Sequence, residues 1–94
     1  MVGPMHTRDL LIDKLTRALA PTQLDVVDNS AAHRGHAGAA GGGGHYEVRI
    51  VSEAFEGKSL VARHRLVYDA LVDEMTGSVH ALALRTMTPA EAAR

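Results

Sequence analysis

From Ala31 to Gly44 the chain carries five alanines, six glycines, two histidines and one arginine, and no larger apolar side chain. Such a stretch has high backbone entropy and almost no surface to bury, so 31–44 is expected to be a flexible loop. A stable fold must come from the segments on either side, within only 94 residues. That length suits a single domain over 1–94 that buries roughly 60–65% of its unfolded surface. Tyr46, Phe55 and Tyr68 are the only aromatic residues, so Leu, Val, Ile and Ala must supply the core.

The flanking segments have clear periodicity. Leu11, Ile12, Leu15, Ala18 and Leu19 recur at three- and four-residue spacing, which predicts a helix over 7–19 with Thr7 as N-cap and Pro21 beyond its end. Leu24 to Val27 reads as a short strand leading into the turn-prone Asp28-Asn29-Ser30. Tyr46, Val48 and Ile50 alternate with His45, Glu47 and Arg49, as in a half-buried strand. The two strands flank the loop and most simply form a long-looped hairpin. Ser59 can cap a second helix with Leu60, Val67 and Leu71 on its buried stripe, Leu66, Ala70 and Met75 beside it, and Gly77 after it. Asp69, Asp73 and Glu74 fall on that helix's solvated side. Val79 to Leu84 predicts a third strand, and Thr88-Pro89-Ala90-Glu91 the start of a short helix. The order αββαβα predicts an α+β sandwich of two layers, a three-stranded sheet with helices packed on one face.

Composition removes several functions. The formal net charge of −1 argues against a dedicated nucleic-acid binder. The absence of cysteine excludes a disulfide framework, a thiolate zinc site and any iron–sulfur cluster held by this chain's own thiolates. No apolar run approaches the ~18–20 residues that span a bilayer, and no secretory signal is visible, so no membrane association and a cytoplasmic location are expected.

Histidine is the residue in surplus, with six copies, five of them after residue 32. His33 and His36 form an H-x-x-H pair on the glycine-rich loop, where that spacing specifies nothing. His80 shares strand parity with Leu82 and Leu84, so its ring is expected to point toward the helices from the rim of the sheet. Partial burial there would favour the neutral imidazole that binds metal, or equally a rim histidine bonded to a carbonyl. His64 falls on the apolar stripe of the second helix and reads as a hydrogen-bonded core residue, with a ligand role as the alternative. His45 shares the outward parity of Glu47 and Arg49 and is expected to be solvated, while His6 carries no signal.

Two apparent motifs are accidental. Ser52 to Ser59 nearly spells a phosphate-binding loop, but Ser52 stands where the first glycine belongs and the domain is too small for the usual nucleotide fold. Gly35-His36-Ala37-Gly38 spells the G-x-x-G of KH domains, but that loop joins two helices and this one joins two strands. No serine or threonine has an activating context, and the histidines lack an H-E-x-x-H order, so the chain reads as non-enzymatic.

Taken in order, the segments resemble the BolA-like family. The matching stretches are Leu24-Asp25-Val26-Val27-Asp28-Asn29-Ser30, His45-Tyr46-Glu47-Val48 and Ile50-Val51-Ser52-Glu53-Ala54-Phe55-Glu56-Gly57-Lys58. Most specific are Arg63-His64-Arg65-Leu66-Val67-Tyr68 and Val79-His80-Ala81-Leu82, followed by Thr88-Pro89. The resemblance covers roughly residues 7–91. It implies a KH-like, BolA-type fold and a heterodimer with a monothiol glutaredoxin that shares a 2Fe–2S cluster. In that arrangement the glutaredoxin and a bound glutathione supply thiolates, His80 supplies the principal imidazole, and no cofactor is expected on the isolated chain. The family's second ligand comes from the loop, at a position nine residues before the histidine that opens the second strand. Here that is His36, with His33 as its neighbour and competitor. Neutral imidazoles in place of thiolates lower the negative charge around a cluster and raise its potential.

The resemblance leaves other roles open. It implies DNA-binding transcriptional regulation for some members, for which Lys58, Arg63 and Arg65 would form a basic strip. A mononuclear site from His36, His45 and His80 is a third reading, and self-association into a homodimer is a further option. The sequence departs from the family in opening its second strand His45-Tyr46 rather than His-Phe. It also lacks an aromatic residue in Ala90-Glu91-Ala92-Ala93-Arg94, which removes the usual apolar anchor of the last helix.

Overall fold

A computed structural model describes residues 6–29, 44–77 and 79–94. The expected flexible loop over 31–44, with His33 and His36, lies outside the described residues except for Gly44, which opens a strand. The elements are α1 (Thr7–Leu19), β1 (Gln23–Asp28), β2 (Gly44–Val51), a 3-10 turn (Glu53–Phe55), α2 (Leu60–Ala70), α3 (Val72–Met75), β3 (Val79–Met87) and α4 (Pro89–Ala92). β1 and β2 pair antiparallel from Gln23↔Val51 to Asp28↔Tyr46, and β3 runs parallel to β2, giving a mixed sheet in the order β1-β2-β3. The predicted α+β architecture with its hairpin is therefore the fold observed.

One face of the sheet meets the helices. Leu11, Leu15 and Leu19 of α1 pack with Val26, Tyr46, Val48, Ile50, Phe55, Val67, Leu71 and Val79 in a single buried cluster. The opposite face carries Asp25, Val27, Glu47, Arg49, Ala83 and Arg85, in the register set by the strand pairing. Among the described residues no helix is long and apolar enough to cross a membrane.

Local chemistry explains the element ends and several differences from expectation. Thr7 is the first helical residue, not the cap: His6 holds the N-cap position, and its carbonyl accepts from Leu10 N–H at 2.9 Å. α1 ends on Ala20 in the left-handed region at φ 43°, where its N–H reaches Thr16 O at 3.1 Å. A Cβ there costs ~1 kcal/mol that glycine avoids, so Ala20→Gly is expected to stabilise the fold by about 0.5–1 kcal/mol in urea denaturation. A loss of stability would show that this geometry is not strained. Ser59 caps α2 as expected, accepting from Ala62 N–H at 3.2 Å.

The second helix is broken at Leu71, whose φ of −114° and ψ of 20° divide α2 from α3. Its N–H is shared between Val67 O and Tyr68 O, and its side chain is fully buried. Glu74 is buried, contrary to the expected solvated position: it follows Val67 by seven residues and Leu71 by three, so it continues their buried stripe, and Lys14 Nζ pairs with it at 2.6 Å. Leu60, expected on the buried stripe, is 60% exposed because α2 meets the core along its later turns, at Leu66, Val67 and Ala70. The Ser52–Ser59 stretch serves the core and not a phosphate. Ser52 Oγ donates to Leu19 O at 2.6 Å and accepts from Ala54 N–H, while Phe55 in the same turn is fully buried.

A polar clamp holds α4 where an aromatic anchor is missing. Arg63 donates through Nη1 and Nη2 to the two carboxylate oxygens of Glu91, at 2.6 and 3.2 Å, and through Nε to Lys58 O at 2.9 Å. Thr88 and Glu91 complete a reciprocal capping box around Pro89. The Arg63 guanidinium, helped by the Thr88 backbone N–H, lowers the Glu91 carboxyl from 4.5 to about 2. A carboxyl depressed in the folded state stabilises it above about 4.5 and loses that contribution as pH falls toward 2. Protection of the Ala92 amide, measured against its intrinsic exchange rate at each pH, is therefore expected to fall across that window, and Glu91→Gln to remove this pH dependence. Unchanged acid sensitivity in Glu91→Gln would assign the effect to another carboxylate.

Candidate metal centre

Pairing of β2 with β3 is interrupted at one place. Gly44 pairs with Val79 and His45 with Ala81, so His80 is an extra residue between two consecutive pairs, a β-bulge. The bulge corrects the expected orientation of His80. Strict alternation from Leu82 and Leu84 would turn its ring toward the helices, but Val79 takes the core position at 2% exposure and His80 is exposed. An added residue reverses the side-chain parity that follows it.

The same shift brings His45 and His80 together. Their ring centroids lie 5.1 Å apart with planes tilted by 49°. His45 is half-buried, not solvated as its parity suggested, and its Nε2 is shielded from solvent. Behind the pair, Asn29 N–H donates to His45 O at 2.7 Å, and the Asn29 side-chain amide donates to the Glu47 carboxylate. Gly44 has a steric reason to be glycine: a Cβ there would stand 2.2 Å from Cε2 of the buried Tyr46 ring. An open depression is lined by His45 together with Asn29, Glu47, Ala81 and Ala83.

The other candidate residues stand apart from this geometry. His33 and His36 lie outside the described residues, but Asn29 and Gly44, which bound their segment, are at the same sheet end as His45. His64 on α2 is half-buried beside Val61, Arg65 and Tyr68, and its Nε2 has no hydrogen-bond partner among the described residues, so the expected hydrogen-bonded core role is not seen at that atom. No group of three or more His, Cys, Asp or Glu able to hold a metal occurs among the described residues. At the bulge the His80 ring is exposed, with the His45 ring against it. Arg63 is committed to Glu91, whereas Lys58 and Arg65 are exposed. The His45–His80 contact is what sequence reasoning missed, because alternation alone hides a bulge.

Comparison with known proteins agrees with this fold. The BolA-like protein family matches residues 15–91. SufE-like protein 1, chloroplastic/mitochondrial, of Arabidopsis thaliana is 50% identical over 84 residues, covering 84% of this chain and 23% of that protein. BolA-like protein 1 of Mus musculus is 47% identical over 78 residues, covering 83% of this chain and 55% of its own length. The DNA-binding transcriptional regulator BolA of Escherichia coli is 40% identical over 84 residues, covering 89% and 77%. Among solved structures, the BolA domain of SufE1 from Arabidopsis thaliana superposes with a TM-score of 0.80 at 45% identity, covering 95% of this chain and 99% of that one. The chain thus spans about a quarter to about half of the first two of these relatives. The match across most of its length, with the shared three-stranded fold, places this chain in the BolA-like family.

Proposed function

We propose that this chain is a non-enzymatic adaptor that pairs with a monothiol glutaredoxin and contributes imidazole to a shared 2Fe–2S cluster. The observation that carries the reading is the exposed His80 at the bulge, with the His45 ring against it and, among the described residues, no group of three or more metal-binding side chains closing the site. An exposed imidazole fits the open edge of a cluster whose thiolate ligands come from the partner. When bound, the cluster supplies one-electron chemistry at a potential raised by neutral nitrogen ligands. This chain's part is to present His80 at the end of a rigid sheet. His36 is the proposed second ligand, seven residues from Asn29 and so tethered within about 25 Å of it.

The test mixes this chain with a monothiol glutaredoxin, iron, sulfide and glutathione, and follows visible absorption and circular dichroism. The reading expects a spectrum different from that of the glutaredoxin alone, and identical spectra would refute it. A second reading, transcriptional regulation through DNA, draws on the name of the Escherichia coli relative. Its basic strip is reduced to Lys58 and Arg65 by the Arg63–Glu91 clamp. A mobility shift persisting at physiological salt and lost in Lys58→Ala/Arg65→Ala would favour it. Cytoplasmic location belongs with these proposals, since the plant relative is named chloroplastic/mitochondrial.

A further inference from the structure

Resting on that reading, the geometry points to His45 as a positioning residue that holds the His80 ring in place for the metal, without itself being a ligand. His80 occupies the extra position of the bulge, where regular pairing is given up, and its side chain is exposed. An imidazole in such a place samples several rotamers, and that freedom is lost when a ligand bond forms. His45 is the fixed partner. It sits on the central strand opposite Ala81, its carbonyl is bonded by Asn29, and its ring is half-buried. The 5.1 Å separation of the two centroids and their tilt match the roughly 4.5–7 Å of favourable aromatic pairs.

The contact therefore restricts His80 before any partner arrives. Groups that orient a ligand from outside the coordination sphere typically change metal retention by about 10–100-fold. What His45 contributes is the shape of a flat ring on a rigid strand, so a phenyl ring at the same position should serve.

The experiment uses the reconstituted heterodimer with the monothiol glutaredoxin and times the loss of its visible circular dichroism to a chelator. His45→Ala is expected to shorten that time by about 10–100-fold, and His45→Phe to restore most of it. On this chain alone, carbon relaxation of the His80 ring is expected to show greater mobility in His45→Ala and unchanged mobility in His45→Phe. If His45→Ala loses its fold by far-ultraviolet circular dichroism, His45→Val takes its place, keeping a strand-compatible side chain without a ring. Equal retention in the ringless variant and the wild type overturns the proposal. Failure of His45→Phe to rescue also overturns it, because the nitrogen would then be what matters. If the wild-type heterodimer gives no cluster signal, the adaptor reading fails, and His80 mobility still decides the role of His45.

Discussion

Phe55→Ala is expected to destabilise the fold by about 3–5 kcal/mol, the range for removing a buried phenylalanine. Phe55 is the only phenylalanine, is fully buried and packs in the cluster that joins α1, the sheet and α2. Few other large side chains can move into the gap. Of the remaining aromatics, Tyr46 is already in the cluster and Tyr68 is 38% exposed on α2. A domain of this size has a total stability of only about 5–10 kcal/mol, so the loss should leave a large unfolded fraction at physiological temperature. Urea denaturation should show a lower midpoint with little change in slope. Phe55→Leu retains most of the volume and is expected to cost about 1–1.5 kcal/mol. A loss below about 1 kcal/mol in Phe55→Ala would mean that the turn at Glu53–Phe55 does not anchor the core.

His80→Ala has the opposite profile, with negligible effect on folding and loss of the proposed function. The side chain is exposed at a bulge and fills no part of the buried cluster. Stability should therefore stay within about 0.5 kcal/mol of wild type. The same substitution removes the imidazole that the adaptor reading makes the principal ligand. The change that this chain produces in the visible circular dichroism of the glutaredoxin-bound cluster should vanish. His36→Ala should weaken the change without abolishing it, and His33→Ala should leave it intact. Retention of the full spectral change in His80→Ala would refute the ligand assignment, since its fold would be intact.

The layers were legible in the sequence because they rest on long, regular patterns. Leu11, Leu15 and Leu19 mark one face of α1, and the alternation of Tyr46, Val48 and Ile50 marks β2; all six are in the buried cluster. Single-residue events were not legible. The break at Leu71 has no proline or glycine to announce it, and Glu74, although on the Val67–Leu71 stripe, carries a charge that reads as solvent-facing until Lys14 of α1 is seen to pair with it. The bulge at His80 depends on how β3 registers against β2, which neither strand encodes alone. The orientation expected for His80 failed for that reason, whereas His45 does share the outward face of Glu47 and Arg49 and departs from expectation only in being half-buried, with the His80 ring against it. The signal that could have exposed it is local: Val79 is the better core residue, and with Val79 inward strict alternation would put Leu82 and Leu84 outward. Both ends of β3 can face inward only if an extra residue intervenes. The docking of α4 was likewise hidden, because an Arg63–Glu91 pair 28 residues apart leaves no periodic trace.

The most direct test of the central claim is pulsed electron paramagnetic resonance on a reduced heterodimer in which only this chain carries nitrogen-15 histidine. The account predicts nitrogen-15 couplings to the cluster, with the principal one lost in His80→Ala. A cluster that forms with this chain bound but shows no nitrogen-15 coupling would contradict it.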